Sequence, residues 1–214
     1  MQLISINIAD ERTIHRKDRD EKTGIFKMPT DRPVRVNKLG LEQDVIVSKK
    51  HHGGPDQAVY VYGTPDYDWW SEELGREITP GTFGENLTIS GLESATFNIG
   101  DLLHVGEIAL QVTAPRIPCG TFAARMEVPN WVKKFRQTER PGLYCRVMKE
   151  GVIKVGDPVS MKSYEEETIS ILEMYRDYYV KDKSRETLLR HLKAPIAIRA
   201  RKDIEKELQN LASR

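Results

Sequence analysis

The residues best suited to chemistry centre on Cys119, in Ala114-Pro115-Arg116-Ile117-Pro118-Cys119-Gly120-Thr121-Phe122. Pro115 and Pro118 fix their own φ angles and lack backbone donors, so the segment resists both helix and central strand. It follows the strand-like run Ala109-Leu110-Gln111-Val112-Thr113, which places the thiol at a strand end, held rigidly and facing a cavity. Arg116 is near enough in sequence to favour the thiolate, the form that acts as nucleophile or soft metal ligand. A small buried hydrophobe is the plainer role, since free cysteine is among the most buried residue types. The local sequence leaves both roles open.

Three loops could add to such a site. In His51-His52-Gly53-Gly54-Pro55-Asp56, two imidazoles and a carboxylate offer metal ligands, but adjacent strand residues point to opposite faces. A structural turn with one histidine facing a pocket fits better than zinc. In Pro80-Gly81-Thr82-Phe83-Gly84-Glu85-Asn86-Leu87-Thr88, the glycines let backbone N–H groups approach an anion, and Asn86 suits a heterocycle edge. An ordinary turn would read the same way. Lys22-Thr23-Gly24-Ile25-Phe26-Lys27 could hold a phosphate through ammonium, hydroxyl and amides, although it lacks the glycine spacing of a P-loop. Arg32 and Arg35 are further anion partners or plain surface charge. Cys145 lies in the alternating run Gly142-Leu143-Tyr144-Cys145-Arg146-Val147 and reads as core. No serine occupies a nucleophile-elbow sequence. A cysteine–histidine hydrolase built on Cys119 and His52 stays open, without a marked oxyanion hole.

The elements that must position these residues are mostly short strands, expected at residues 3–8, 34–36, 58–62, 86–89, 102–105, 108–112, 143–148, 152–155 and 159–162. Gly106-Glu107 marks a tight hairpin, residues 65–74 a helix with Trp69 and Trp70 partly buried, and the charged residues 10–21 an exposed loop. Many short, non-local strands indicate a mainly β, α+β fold with a barrel-like domain rather than a doubly wound sheet. After residue 163 the texture changes. Residues 165–214 hold no glycine and one proline, and apolar residues recur at helical spacing. Three short helices are expected there, with Ser184 as an N-cap and Pro195 in the first turn of the last. The chain thus divides into a β-barrel-like domain at 1–163 and a three-helix subdomain at 164–214, the latter a docking or dimerisation element.

With a formal net charge of +1 over 214 residues, there is no polyelectrolyte case for nucleic acid or membrane binding. Two cysteines are too few for a disulfide framework, and the first ten residues lack the pattern of a signal peptide. A cytoplasmic location is the expectation.

Taken together, the segments resemble the MOSC domain, the family named after the C-terminal part of molybdenum cofactor sulfurase, and within it the bacterial YiiM branch. The resemblance is carried in order by Lys22-Thr23-Gly24-Ile25-Phe26-Lys27, Leu39-Gly40-Leu41-Glu42-Gln43-Asp44, His52-Gly53-Gly54-Pro55-Asp56-Gln57-Ala58-Val59, the residue 80–88 loop with Gly91-Leu92, Asn98-Ile99-Gly100-Asp101, and Thr113 through Cys119. The helical tail resembles the extension of that branch. One departure is Gln43, where the family commonly has glycine. Glutamine takes a positive φ only at a cost, so this loop is expected to be reshaped.

The resemblance implies a molybdenum cofactor, a molybdopterin with a phosphate tail, and assigns Cys119 as the thiolate ligand to molybdenum. It implies Lys22, Thr23 and Arg116 for the phosphate and dithiolene side. Asn86, with backbone near Gly84 and Glu85, falls to the pterin, and His52 and Asp56 to shaping or protonating the pocket. The implied activity is reduction of N-hydroxylated compounds such as 6-N-hydroxylaminopurine, and of amidoximes, to amines. Electrons would come from a separate flavin or iron–sulfur protein, since the chain has no cysteine cluster and no Gly-x-Gly-x-x-Gly. Two alternatives stand beside it: a non-catalytic cofactor carrier or sulfur-delivery module, and a metal-free thiol enzyme. A homodimer is compatible with each.

Overall fold

The computed structural model of the chain describes residues 1–16, 19–47 and 53–212. Its strands are β1 (Leu3–Ile8), β2 (Arg12–Arg16), β3 (Arg19–Thr23), β4 (Met28–Thr30), β5 (Val34–Asn37), β6 (Gly40–Leu41), β7 (Val59–Gly63), β8 (Leu87–Ile89), β9 (Leu102–Val105), β10 (Ile108–Pro115), β11 (Leu143–Lys149), β12 (Gly151–Ile153) and β13 (Val159–Lys162). The helices are α1 (Thr64–Leu74), α2 (Gly120–Met126), α3 (Trp131–Thr138), α4 (Ile171–Asp177), α5 (Arg185–Lys193) and α6 (Ile198–Ala212).

Eight strands form one sheet in the order β13-β9-β10-β11-β7-β8-β1-β4, in which only β7 and β8 run parallel. The sheet bends round on itself. Gln2 bridges to Pro158, the Leu3 amide donates to Asp157, and Val159 donates to Met1, so the start of β1 meets the start of β13. This is the barrel-like, mixed α+β architecture expected. A bulge between Leu3 and Ser5 resets the pairing of β1 with β8, which turns Ile6 into the core and leaves Ile4 exposed. At the β9–β10 hairpin, Gly106 takes φ 52°, the left-handed conformation that such two-residue turns need.

One apolar core lies inside the sheet and joins Leu103, Leu110 and Val147 to Ile171, Leu188, Ile196 and Ile204 of the helical tail. Apolar contact therefore crosses residue 163. A second, aromatic core gathers Tyr62, Trp70, Phe83, Phe122, Trp131 and Phe135.

Several expectations need correction. Pro115 does not keep out of the strand: it is the last residue of β10 and pairs with Leu143. The charged stretch 10–21 is not a loop: β2 and β3 pair as a hairpin, with His15 opposite Asp20 and Arg12 opposite Thr23. Its stability comes from cross-strand charges and packing on α2 rather than from an apolar face. Two helices, α2 and α3, follow Cys119 where none was expected. Pro195 precedes α6, which begins at Ile198, while Ser184 does cap α5 by accepting the Thr187 amide. Gln43 sits at φ 68°, so the loop keeps a left-handed residue there at the cost of backbone strain. Among the described residues no helix is long and apolar enough to cross a membrane.

Candidate functional site

All eight residues of β10 are buried, locked between β9 and β11. The chain leaves this strand at Arg116 and reaches Cys119, whose extended backbone precedes α2. The expected strand-end placement holds. Cys119 is half-buried and lines a cavity of about 410 Å³. Cys145 is fully buried in the main core, and burial pushes its thiol far up, so it stays neutral packing.

Arg116 forms the floor. It is 4% exposed, with its guanidinium 4.9 Å from the ring of Tyr60 and 4.5 Å from that of Phe122. Its Nη1 lies 3.5 Å from the Tyr144 hydroxyl, and its Nε has no hydrogen-bond partner among the described residues. No described carboxylate forms a salt bridge with it. Burial pulls this guanidinium down, but the facing Tyr144, Tyr60, Cys119 and Glu85 outweigh burial and hold it above its ordinary value. Its unpartnered Nε leaves a buried, charged donor for an anionic ligand in the cavity.

Beside it, Lys27 and Asp44 pair at 2.5 Å, both nearly buried. Burial pulls the Lys27 ammonium down, and Asp44 opposes that shift. Asp44 also accepts from the Ala9 amide and from Asn86 Nδ2. Asn86 is thereby fixed: its Oδ1 accepts the Tyr60 amide, and Nδ2 also reaches the Asn7 carbonyl. One acceptor site on Oδ1 remains for a ligand.

The mouth is formed by the β2–β3 hairpin, which supplies Arg16, Arg19, Glu21, Lys22 and Thr23. Lys22 pairs with Glu11 at 3.0 Å in the open, and Thr23 Oγ1 accepts the Ile25 amide. Among the described residues five cationic side chains line the cavity against two carboxylates, so this part of the lining carries surplus positive charge.

The structure therefore gathers Lys22, Thr23, Gly84, Asn86, Arg116 and Cys119 around one space. Glu85 lies behind the wall, fully buried. Its Oε1 accepts from Tyr67 at 2.5 Å, the Gly81 amide at 2.6 Å and Thr88 at 2.9 Å, which braces the loop that carries Gly84. Asp56 also lies outside the lining, paired with Arg146 at 2.9 Å. His52 falls outside the described residues. Sequence reasoning missed Arg16, Arg19, Lys27, Gln57, Tyr60 and Tyr144. Of these, Lys27 and Gln57 stood inside segments carrying the family resemblance, and Tyr144 in the run that holds Cys145.

This lining fits an anionic, thiolate-ligated cofactor of the kind the resemblance implies. The soft donor is Cys119; Arg116 Nε and Gln57 Oε1 are buried polar atoms without described partners; and the charge surplus is positive.

Comparison with known proteins agrees. The MOSC domain family matches residues 48–160. The Bacillus subtilis (strain 168) protein YflK is 36% identical over 169 residues, covering 79% of this chain and 76% of YflK. A Gibberella moniliformis protein named a reductase is 32% identical over 158 residues, covering 72% of this chain but only 28% of its own length. The crystal structure of YiiM from Geobacillus stearothermophilus superposes with a TM-score of 0.78 at 31% identity, covering 97% of this chain and 98% of that one. On sequence and architecture alike, the chain belongs to the MOSC domain family, in its YiiM-like branch.

Proposed function

We propose that this chain is a molybdenum-cofactor-dependent reductase that converts N-hydroxylated compounds to amines, with 6-N-hydroxylaminopurine and related hydroxylamino bases as substrates and amidoximes as further ones. The carrying observation is the half-buried Cys119 thiol, in the same cavity as a buried Arg116 whose Nε has no described partner. The family's association with the molybdenum cofactor and the relative named a reductase support the reading.

When bound, the cofactor supplies the oxygen-accepting chemistry at the N–O bond. The chain's own groups bind and orient. Cys119 Sγ is the soft ligand; Arg116, Lys22 and Thr23 hold the anionic parts; Asn86 Oδ1 and the backbone at Gly84 meet the heterocycle. Tyr60 and Phe122 sandwich Arg116 and keep water from it. The balance is one hydroxylamine, two electrons and two protons to one amine and one water. Protons come through His52, adjacent in sequence to the cavity-lining Gly53, and through Lys27 Nζ, which burial makes a readier donor than an exposed lysine. Electrons come from a separate flavin or iron–sulfur protein, for which the helical tail offers a docking face.

The test is anaerobic reduction of 6-N-hydroxylaminopurine by molybdenum-loaded protein with a chemical electron donor. Wild type should turn over and Cys119→Ala should fall to background. Bound molybdenum with no turnover by wild type would overturn this reading in favour of a carrier.

A further inference from the structure

Arg16 stands at the end of β2, and its Nη1 lies 3.3 Å from the hydroxyl of Thr121, two residues beyond Cys119. It comes this close because residue 120 is glycine: a Cβ there would fall 3.0 Å from the Arg16 Cζ. Its only described carboxylate partner is Glu21, at 3.3 Å, and that carboxylate is held more tightly by Arg19, at 2.6 Å. Two guanidiniums thus share one carboxylate at the mouth of the cavity that holds the thiol. The Arg16 side chain is 28% exposed, so it is neither dispersed in solvent nor closed off from the cavity. Arg116 and Lys27 line the buried end, whereas Arg16, Arg19 and Lys22 stand at the open end. A cavity of about 410 Å³ is small for two organic ligands at once, so a substrate meeting a cofactor there must extend past the mouth.

We infer that Arg16 makes the mouth an anion subsite for the substrate, so that the preferred substrates are N-hydroxylated compounds carrying a phosphate monoester, such as a hydroxylaminopurine nucleotide, rather than the neutral base. This rests on the reductase reading of the same site. A guanidinium recognises phosphate through paired, charge-assisted N–H bonds, and half-burial protects that interaction from full screening. Glu21 tempers the charge, and Gly120 leaves the guanidinium room to lie beside Cys119.

The experiment is equilibrium dialysis of 6-N-hydroxylaminopurine and of its ribonucleoside 5′-monophosphate against the molybdenum-loaded protein at low salt, with turnover of each followed alongside. Wild type should bind the monophosphate about tenfold more tightly, the effect of one partly screened charge-assisted contact. The ratio should approach one in Arg16→Gln and rise in Glu21→Gln. Equal affinities in wild type, a ratio unmoved by Arg16→Gln, or no binding of either compound would overturn the subsite. A preference that follows the variants while neither compound is reduced would support the subsite and contradict the reductase reading.

Discussion

The carboxylate of Asp56 pairs with Arg146 at 2.9 Å and accepts the Ile198 amide at 2.6 Å, so the turn beside cavity-lining Gln57 is tied to the first residue of α6. Arg146 completes the tie by donating to the Ile196 carbonyl, and Thr113 donates to the Asp56 carbonyl at 2.5 Å. Asp56 thus acts as the joint between the helical tail and the cavity wall. Asp56→Ala should cost about 2–3 kcal/mol in urea unfolding, because it strands a partly buried guanidinium and an unpaired helix amide. A double-mutant cycle with Arg146→Ala should give a coupling of about 1 kcal/mol or more. Additive losses would show that the two side chains do not work together.

Gln43 holds φ 68°, a conformation that costs a residue with a Cβ about 1–2 kcal/mol. Glycine relieves that strain but gives up some of the gain through the freer unfolded chain. Gln43→Gly should therefore raise stability by about 0.5–1 kcal/mol in denaturant titration. A loss would mean that the glutamine side chain contributes more than the strain removes.

Burial raises the Glu85 carboxyl above its ordinary 4.5, against the lowering effect of its bonds from Tyr67 and the Gly81 amide. The folded chain therefore binds this proton more tightly than the unfolded chain does. Its contribution to stability is present below about 4.5 and is lost as pH rises through the folded value. Glu85→Gln removes that slope, so wild type should lose stability relative to the variant as pH rises above about 4.5. Parallel pH profiles from urea melts would refute it.

Arg116 is held between Tyr60 and Phe122 as a planar cation, and lysine cannot reproduce that stacking. Arg116→Lys should retain less than about a tenth of the wild-type molybdenum after exhaustive dialysis, an effect of about 1.4 kcal/mol or more. Full retention would remove Arg116 from the cofactor's anchoring.

The strand end that carries Cys119 was legible because its cues are local: a run of strand-forming residues gives way to Pro115 and Pro118, although Pro115 itself stays in β10 as its last residue. Most strands were legible in the same way, as alternation and turn residues are read within a few positions, but the short β4 and β6 were not. Arg16 and Arg19 were not, because β2 and β3 carry few apolar side chains and are held by cross-strand charges and packing on α2. A charged hairpin of that kind has the composition of a loop. The role of Asp56 depends on Ile198, 142 residues away, and no local pattern announces that contact. Likewise, Asn86 looked like a ligand-facing polar group, yet most of its capacity is taken up within the wall.

The most direct measurement is molybdenum K-edge X-ray absorption on protein from a cofactor-competent host, comparing wild type with Cys119→Ala. Wild type should hold molybdenum with one sulfur ligand more than the variant. Identical sulfur contributions, or no molybdenum in the wild-type protein, would contradict the assignment of this cavity.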